Sequence, residues 1–405
     1  MKDTTARRTW VTRGIVGIVL ATFFSDVAHE AATSVLPLYL GSIGLGAAAL
    51  GTVEGVADLA YSLSKLGGGV LGHRLARKRP AVAAGYAVTM LATAAMALVR
   101  GASALLALRS LAWIGRGVRS PLRDHLLADE VAATHYGRAY GLERAADMLG
   151  ALVGPGIAIL CVQIGLSARE IIGWTVVPAL VPVLAILVLT RDRGVPRPER
   201  VASAPAALPR EFKHFLGGVL VFGLGDFSRT FLILLAARAL GDEGHSAPAT
   251  LSIAVLLYAL HNGVSALAAY PIGRWGDRVS RAKLLVGGYG LGVLTNVLLA
   301  FGSRSIGVLV VAILLSGVYI AAEETLEKAT GAALLPRESR SLGLGVLGAT
   351  NAVGDMVSSI TVGVCLEAGR AELGFGLAAG AGALGTLWML AFARSRAKPP
   401  RAGGV

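Results

Sequence analysis

The 405-residue chain is short of charge, aromatic side chains and cysteine, and each shortage removes a class of protein. Charged residues make up 16% of it, against about a quarter in a soluble globular domain. Cys161 and Cys365 are the two cysteines, and both lie inside apolar segments. Neither a disulfide framework nor a structural zinc site can be built from them. Aromatic residues, at 6%, are too sparse to suggest a site that holds flat cations through cation–π contact. No paired metal motif, nucleotide-binding loop or nucleophile elbow occurs, which argues against a membrane enzyme and implies no cofactor. No receiver or effector domain is appended, which disfavours a non-transporting membrane sensor. The N-terminus has Arg7, Arg8 and Arg13 ahead of an apolar run, but Asp26, His29 and Glu30 interrupt that run. Without a small-residue cleavage site after a short apolar core, this reads as a first membrane helix that is retained.

What the chain has in abundance is apolar sequence. It is 54% hydrophobic with a mean hydropathy of +0.66, and apolar runs of about twenty residues recur along its length. We read twelve spans, at 14–40, 48–72, 81–99, 102–127, 138–165, 171–190, 214–239, 249–272, 284–302, 306–330, 342–367 and 373–393. The net charge of +13 would suggest nucleic acid in a soluble protein. Here the cations sit in alternate connections, so nucleic acid is not an expected partner. One set of connections is arginine-rich and the other carries about one arginine each, which by the positive-inside rule places both termini in the cytoplasm. The expected location is therefore a membrane, with the cation-rich connections on its cytoplasmic side. The Pro-, Ala- and Arg-rich segment 191–213 reads as a cytoplasmic linker between an N-terminal unit, 1–190, and a C-terminal unit, 214–405.

The two units repeat. Gly273–Lys283 (Gly-Arg-Trp-Gly-Asp-Arg-Val-Ser-Arg-Ala-Lys) has a degraded twin at Gly69–Arg79, 204 residues earlier. Gly69 falls on Gly273, Arg74 on Arg278 and Arg77 on Arg281, while His73 stands where the second copy has Asp277. At the same offset Asp58 matches Asn262, Gly141 matches Gly345 and Gly150 matches Gly354, and Asp26 matches Asp226 at an offset of 200. Spans three, six, nine and twelve contain no charged residue. Charge in hydrocarbon is costly and turns toward protein or water. Every third helix is thus expected to face lipid, and the others to surround a polar path.

Twelve spans as six plus six, a central linker and cationic Gly-x-x-x-Asp-Arg-x-x-Arg-x-Lys turns after spans two and eight resemble the major facilitator superfamily. The resemblance implies an all-α membrane protein of two six-helix bundles related by a pseudo-twofold, working by alternating access around a midplane site. It also implies that Asp277 sits against the start of a helix in the opposite bundle, where a helix dipole favours an anion. His73 cannot do so when protonated, so the corresponding lock is expected to weaken at acid pH. Gly150-Ala-Leu-Val-Gly154-Pro155 resembles the family's antiporter motif, with Ala158 where that motif ends in glycine. Arg109 resembles the family's buried span-four arginine, although Gly115 and Gly117 follow two residues later than usual. Ser25–Glu30 through Leu36-Pro37-Leu38, with Arg119–Asp124, is similar to a poorly characterised prokaryotic branch.

Several residues are candidates for chemistry. Asp26, His29, Glu30 and Thr33 share one face of span one, as a proton relay, a substrate contact, a metal site or a static ion-pair network. Glu54, Asp58, Ser62 and Lys65 do the same in span two. We take Asp26, Glu30, Asp58 and Asp226 as candidates for proton coupling, and His29, Arg109, Arg116 and Arg229 for substrate contact. An alternative for Asp226 and Arg229 is a local i,i+3 pair. Arg119 and Arg123 of span four align with Glu323 and Glu327 of span ten. These four suggest a gate of opposite charges near the cytoplasmic end, closed when the cavity faces outward; local pairing of Arg123 with Asp124 is the alternative. The function expected is a secondary transporter, foremost a proton-coupled antiporter exporting a small organic molecule, with an anion or metal-complex carrier as alternative. It is expected to act as a monomer in the lipid bilayer.

Overall fold

The computed structural model describes residues 10–44, 47–192, 207–242 and 247–397. Among the described residues there are fourteen α-helices and no strand. In chain order they are α1 (Arg13–Ser42), α2 (Ala47–Arg74), α3 (Arg79–Met96), α4 (Ala102–Glu130), α5 (Tyr136–Gln163), α6 (Ala168–Trp174) and α7 (Val176–Leu189). The second series is α8 (Arg210–Gly223), α9 (Thr230–Asp242), α10 (Ala247–Gly276), α11 (Arg281–Gly302), α12 (Ile306–Leu334), α13 (Arg340–Glu367) and α14 (Ala371–Ala397). Span six is the pair α6–α7 and span seven the pair α8–α9, so the helices make twelve membrane crossings in two bundles.

Local chemistry sets the helix starts. Thr12 caps α1 by accepting from the Ile15 amide at 3.2 Å, and its hydroxyl donates to Glu130 at 2.7 Å. Ser167 and Glu170 form a reciprocal capping box on α6. The amides of Lys78 and Arg79, opening α3, donate to Asp192 at 2.9 and 3.0 Å. A carboxylate at a helix N-terminus satisfies orphan donors and complements the dipole.

Span seven departs from the single helix expected at 214–239. The backbone unwinds between Gly223 and Thr230, and Asp226 sits in the break. A Cβ on Gly225 would meet the Gly382 nitrogen at 2.7 Å, so α14 packs directly onto the bend. The freed backbone is satisfied from neighbours: Asn296 donates to the Gly225 carbonyl at 2.8 Å, and the Ser228 amide donates to Ser359 at 2.9 Å. Broken helices at membrane depth persist only where such partners exist or a cavity adjoins.

The bundles meet where two helix pairs cross, α5 on α10 and α2 on α13. Glycine makes both crossings possible. A Cβ on Gly345 would meet the Gly69 Cα at 2.9 Å, and one on Gly141 would meet the Tyr270 Cα at 3.1 Å. Within the first bundle, α5 lies as tightly on α1. A Cβ on Gly150 would meet the Phe23 carbonyl at 2.6 Å, and one on Gly154 the Val27 carbonyl at 2.7 Å. The glycines of the antiporter-like motif therefore bring the α5 backbone against the turns of α1 that carry Asp26 and Glu30. Large apolar side chains cover the outside, among them Phe301 and Leu267, 86% and 77% exposed. Such exposure suits a lipid environment.

Candidate functional site: a charged cavity between the bundles

A cavity of about 820 Å³ lies between the bundles. Its walls come from α2, α4 and α5 of the first bundle and from the α8–α9 break, α12 and α13 of the second. The charge-free spans three, six, nine and twelve, carried by α3, α6–α7, α11 and α14, contribute nothing to this lining.

Most charges in and behind the cavity are paired. Arg116 donates to Asp26 at 2.5 Å. Arg123 contacts Glu143 at 2.7 Å and the adjacent Asp124 at 3.1 Å. Arg144 bridges the bundles, reaching Asp147 at 2.5 Å and Glu324 of α12 at 2.9 Å. Lys328 lies 3.9 Å from both Glu143 and Glu324. At the helix break, Asp226 accepts from Tyr319 at 2.5 Å and lies 3.9 Å from Arg229.

The expected site residues divide accordingly. Arg116, Arg229 and Asp226 line the cavity, as do all four residues of the expected gate. Arg116, a candidate for substrate contact, is bonded to Asp26. His29 and Arg109 do not line the cavity. His29 is buried with its ring edge-on to Trp113, centroids 4.8 Å apart. Arg109 is fully buried and donates to Thr33 at 2.9 Å. Asp26 and His29 thus turn to different partners, and the span-one cluster does not converge as a metal-binding triad. Glu30 is half-buried beside Gly154. Asp58 and Glu54 lie on α2, but their side chains are outside the described residues.

The gate pairing differs from expectation. Arg119 donates to Ser25 at 2.7 Å with its guanidinium 3.9 Å over Tyr86, and Arg123 turns to Asp124 and Glu143. Glu327 is held inside its own bundle by Tyr289 and by Asn351 at 2.7 Å. The physical reason is proximity: Arg119, Arg123 and Glu327 each find a partner in their own bundle, and Glu323 makes no ion pair among the described residues. At the cavity, the ion pairs that cross between bundles come instead from Glu143 and Arg144 on α5 to Glu324 and Lys328 on α12. These four were legible by the rule that flagged the others, charge inside an apolar span; Lys328 also falls on Asp124 in the repeat, while Glu143, Arg144 and Glu324 have no charged counterpart there.

The end bearing the arginine-rich turns is sealed. Asp277, with a fully buried side chain, accepts from the Gly137 and Arg138 amides at 2.7 and 3.0 Å, at the first turn of α5. It also meets Arg138 Nε at 2.9 Å and Arg281 at 3.0 Å, and Arg281 donates to the Ala133 carbonyl. Arg74, Arg77 and Arg278 of the turns are exposed. His73 does not mirror Asp277. Its Nδ1 lies 2.9 Å from the Glu338 carbonyl, and because a carbonyl only accepts, this nitrogen carries the proton. His73 thus meets a carbonyl oxygen where Asp277 meets amide donors.

Asp129, on the last turn of α4, does that work instead. It receives Arg337 at 2.8 Å and Arg340 at 3.1 Å from the second bundle, while His125 on its own helix lies 3.4 Å away. Burial would raise the Asp129 carboxyl, but the hydrogen bonds from His125 and Arg337 outweigh it and hold it well below the usual carboxylate range. A carboxyl depressed in the sealed state contributes above its ordinary range and loses that contribution as pH falls through the depressed one. The seal is therefore expected to be indifferent to pH from about 5 to 8 and to loosen only below about 4. Accessibility of a cysteine placed behind the seal, followed against pH, checks this; loosening near pH 6 would point to a histidine instead.

Two bundles of six membrane crossings around a charged central cavity are the architecture of a multi-pass membrane transporter. The chain belongs to the Major Facilitator Superfamily, whose family profile matches residues 18–235 and 215–405. An uncharacterised transporter of this type from Methanocaldococcus jannaschii is 25% identical over 274 residues, covering 66% of this chain and 67% of that protein. An uncharacterised protein of Mycobacterium tuberculosis is 27% identical over 351 residues, covering 83% and 81%. Among solved structures, a bacterial homologue of the iron transporter ferroportin in its outward-facing state superposes with a TM-score of 0.75 at 15% identity, covering 94% of this chain and 99% of that one. The fucose:proton symporter of Escherichia coli superposes at 0.73 with 13% identity, covering 95% and 98%. The human organic anion transporter superposes at 0.71 with 16% identity, covering 93% and 99%. At these identities the likeness is one of fold.

Proposed function

We propose that this transporter is a proton-coupled antiporter that exports a small organic molecule from a prokaryotic cytoplasm. Bundles 1–190 and 214–405 rock about the linker 191–213, with both termini and the arginine-rich turns on the cytoplasmic side of the inner membrane. On that orientation the sealed end is cytoplasmic and the conformation faces outward. The protein acts as a monomer.

The observation that supports this reading is the set of carboxyl groups on the second-bundle wall that lack an ion-pair partner. Among the described residues Glu323, Glu327 and Asp355 form no ion pair, and Glu323 Oε2 is buried without a hydrogen-bond partner. A carboxyl free of a cation can exchange a proton without breaking a bridge. A cationic group of the solute and a proton then compete for the same oxygens, which is the minimal requirement of antiport. Behind the opposite wall, the Asp26 carboxyl lies beside that of Asp147. Asp147 lines the cavity, so Asp26 is reached from it through one residue. Asp226 in the helix break, Glu30 on α1 and Asp58 on α2 complete the set of candidate carriers.

Proteoliposomes containing a pH-sensitive dye test the proposal. Solute-triggered proton flux is expected, and Asp26→Asn should reduce it by about tenfold or more, the loss associated with removing a positioned proton-transfer group. Flux that survives in Asp26→Asn moves the coupling to Asp226 or Asp58. Solute uptake without any proton flux would overturn proton coupling.

A further inference from the structure

The cavity's excess charge is segregated by sign, and on the transport reading above this identifies the cargo. In the first bundle, Lys65 of α2 and Arg119 of α4 line the cavity and form no ion pair among the described residues. The Lys65 ammonium lies 4.3 Å from the centre of the Tyr61 ring. Arg119 rests over Tyr86 and on Ser25, with its Nε buried and unpartnered. The unpaired charges of the second bundle are all acidic: Glu323 and Glu327 of α12 and Asp355 of α13. The remaining cations of the cavity have carboxylates beside them, as described above. One wall therefore presents cations without an ion-pair partner and the other presents carboxyl groups without one.

We propose that the transported solute is dipolar, with a carboxylate or phosphate at one end and an amine or guanidine at the other. The anionic end meets Lys65 and Arg119, and the cationic end meets Glu323 and Asp355. The electrostatic reason is direct. A solute with one charge satisfies one wall and leaves the other bare in a cavity surrounded by low-dielectric protein. A dipolar solute satisfies both walls and brings no net charge into the membrane interior. The sites on Arg119 also suit the anion: its guanidinium is planar, fixed on an aromatic face and short of acceptors, a geometry matched to a carboxylate or phosphate. Protonation of the acidic wall releases the cationic end, so the same arrangement gives the solute its exchange with protons.

The test uses the full-length protein in detergent and in proteoliposomes, with a length series of α,ω-amino acids as probes. The corresponding alkylamines, alkyl carboxylates, α,ω-diamines and α,ω-dicarboxylates serve as charge controls. At one length or more the amino acid should bind at least about tenfold more tightly than either singly charged control, read as a ligand-dependent rise in the unfolding midpoint. Lys65→Glu should move the preference toward the diamine, and Asp355→Lys toward the dicarboxylate. Both positions are half-buried, and the midpoint without ligand shows that each variant is folded. A merely structural role for these residues would not exchange the preferred ligand class. Equal binding of the amino acid and the alkylamine would overturn the dipolar assignment, as would binding by none of the α,ω-amino acids. Proton flux driven by singly charged solutes alone would overturn it too while leaving the antiport reading intact. Failure of every solute to move protons would instead overturn that reading.

Discussion

Asp277→Asn is expected to unseal the end that carries the arginine-rich turns, lowering the population of the sealed state by roughly 10²- to 10³-fold. The substitution keeps shape and removes charge. In the native protein the carboxylate is fully buried and is shared by two backbone amides of α5 and two guanidinium groups. An asparagine oxygen cannot serve all four donors, and its amide points hydrogens at the positive end of a helix. Breaking a buried charged network by removing one partner costs about 3–5 kcal/mol, which sets the factor above. The readout is the rate at which an impermeant thiol reagent, applied from the turn side, labels Ser120→Cys in a background lacking Cys161 and Cys365. Ser120 lines the cavity. An unchanged labelling rate would mean that the Asp129 cluster alone holds the seal.

The second large effect concerns folding. Arg116→Met should destabilise the protein by about 3–5 kcal/mol, because Asp26 is then left in the interior without its cation. Pairing it with Asp26→Asn should recover most of that loss, since two neutral side chains of suitable shape leave no buried charge behind. Thermal unfolding of the two single variants and the double closes a mutant cycle. Losses that simply add would show that Arg116 and Asp26 are not a unit, and that Asp26 leans on another cation.

Much of this fold was legible because membrane insertion leaves few options. Apolar runs of fixed length, alternate cationic connections and a 204-residue repeat are consequences of the bilayer and of duplication, and all can be read along the chain. The absence of charge from spans three, six, nine and twelve marked the helices that stay out of the cavity for the same reason. Pairing was less legible. Arg119 and Glu323 align in the repeat, yet alignment says only that they occupy equivalent positions, whereas a salt bridge depends on rotamers and on nearer competitors. Tyr289 and Asn351 outbid Arg123 for Glu327 from within its own bundle. The break at Gly223–Thr230 was hidden for a related reason. Gly225 and Asp226 are compatible with a continuous apolar span, and it is Asn296, more than a helix away, that supports the unwound backbone. His73 illustrates a third limit. Its mismatch with Asp277 was visible, but the compensating ring of Asp129, Arg337 and Arg340 comes from segments with no counterpart in the other turn.

The crossings of α2 on α13 and of α5 on α10 have a mechanical consequence. At Gly69 and Gly345, and at Gly137 and Gly273, backbone lies directly on backbone, with few side chains between. Helices that interlock through large side chains must withdraw teeth from sockets before they can part. These surfaces behave as plain bearings: they slide or tilt without any rotamer having to hop, and they uncover little apolar area in doing so. Within lipid there is no hydrophobic penalty to hold such faces together. The strength of closure therefore resides in a handful of charged bonds at the rim, while the smooth contact beneath them sets an easy path for motion. Strength and friction are assigned to different atoms, so each can be altered without the other.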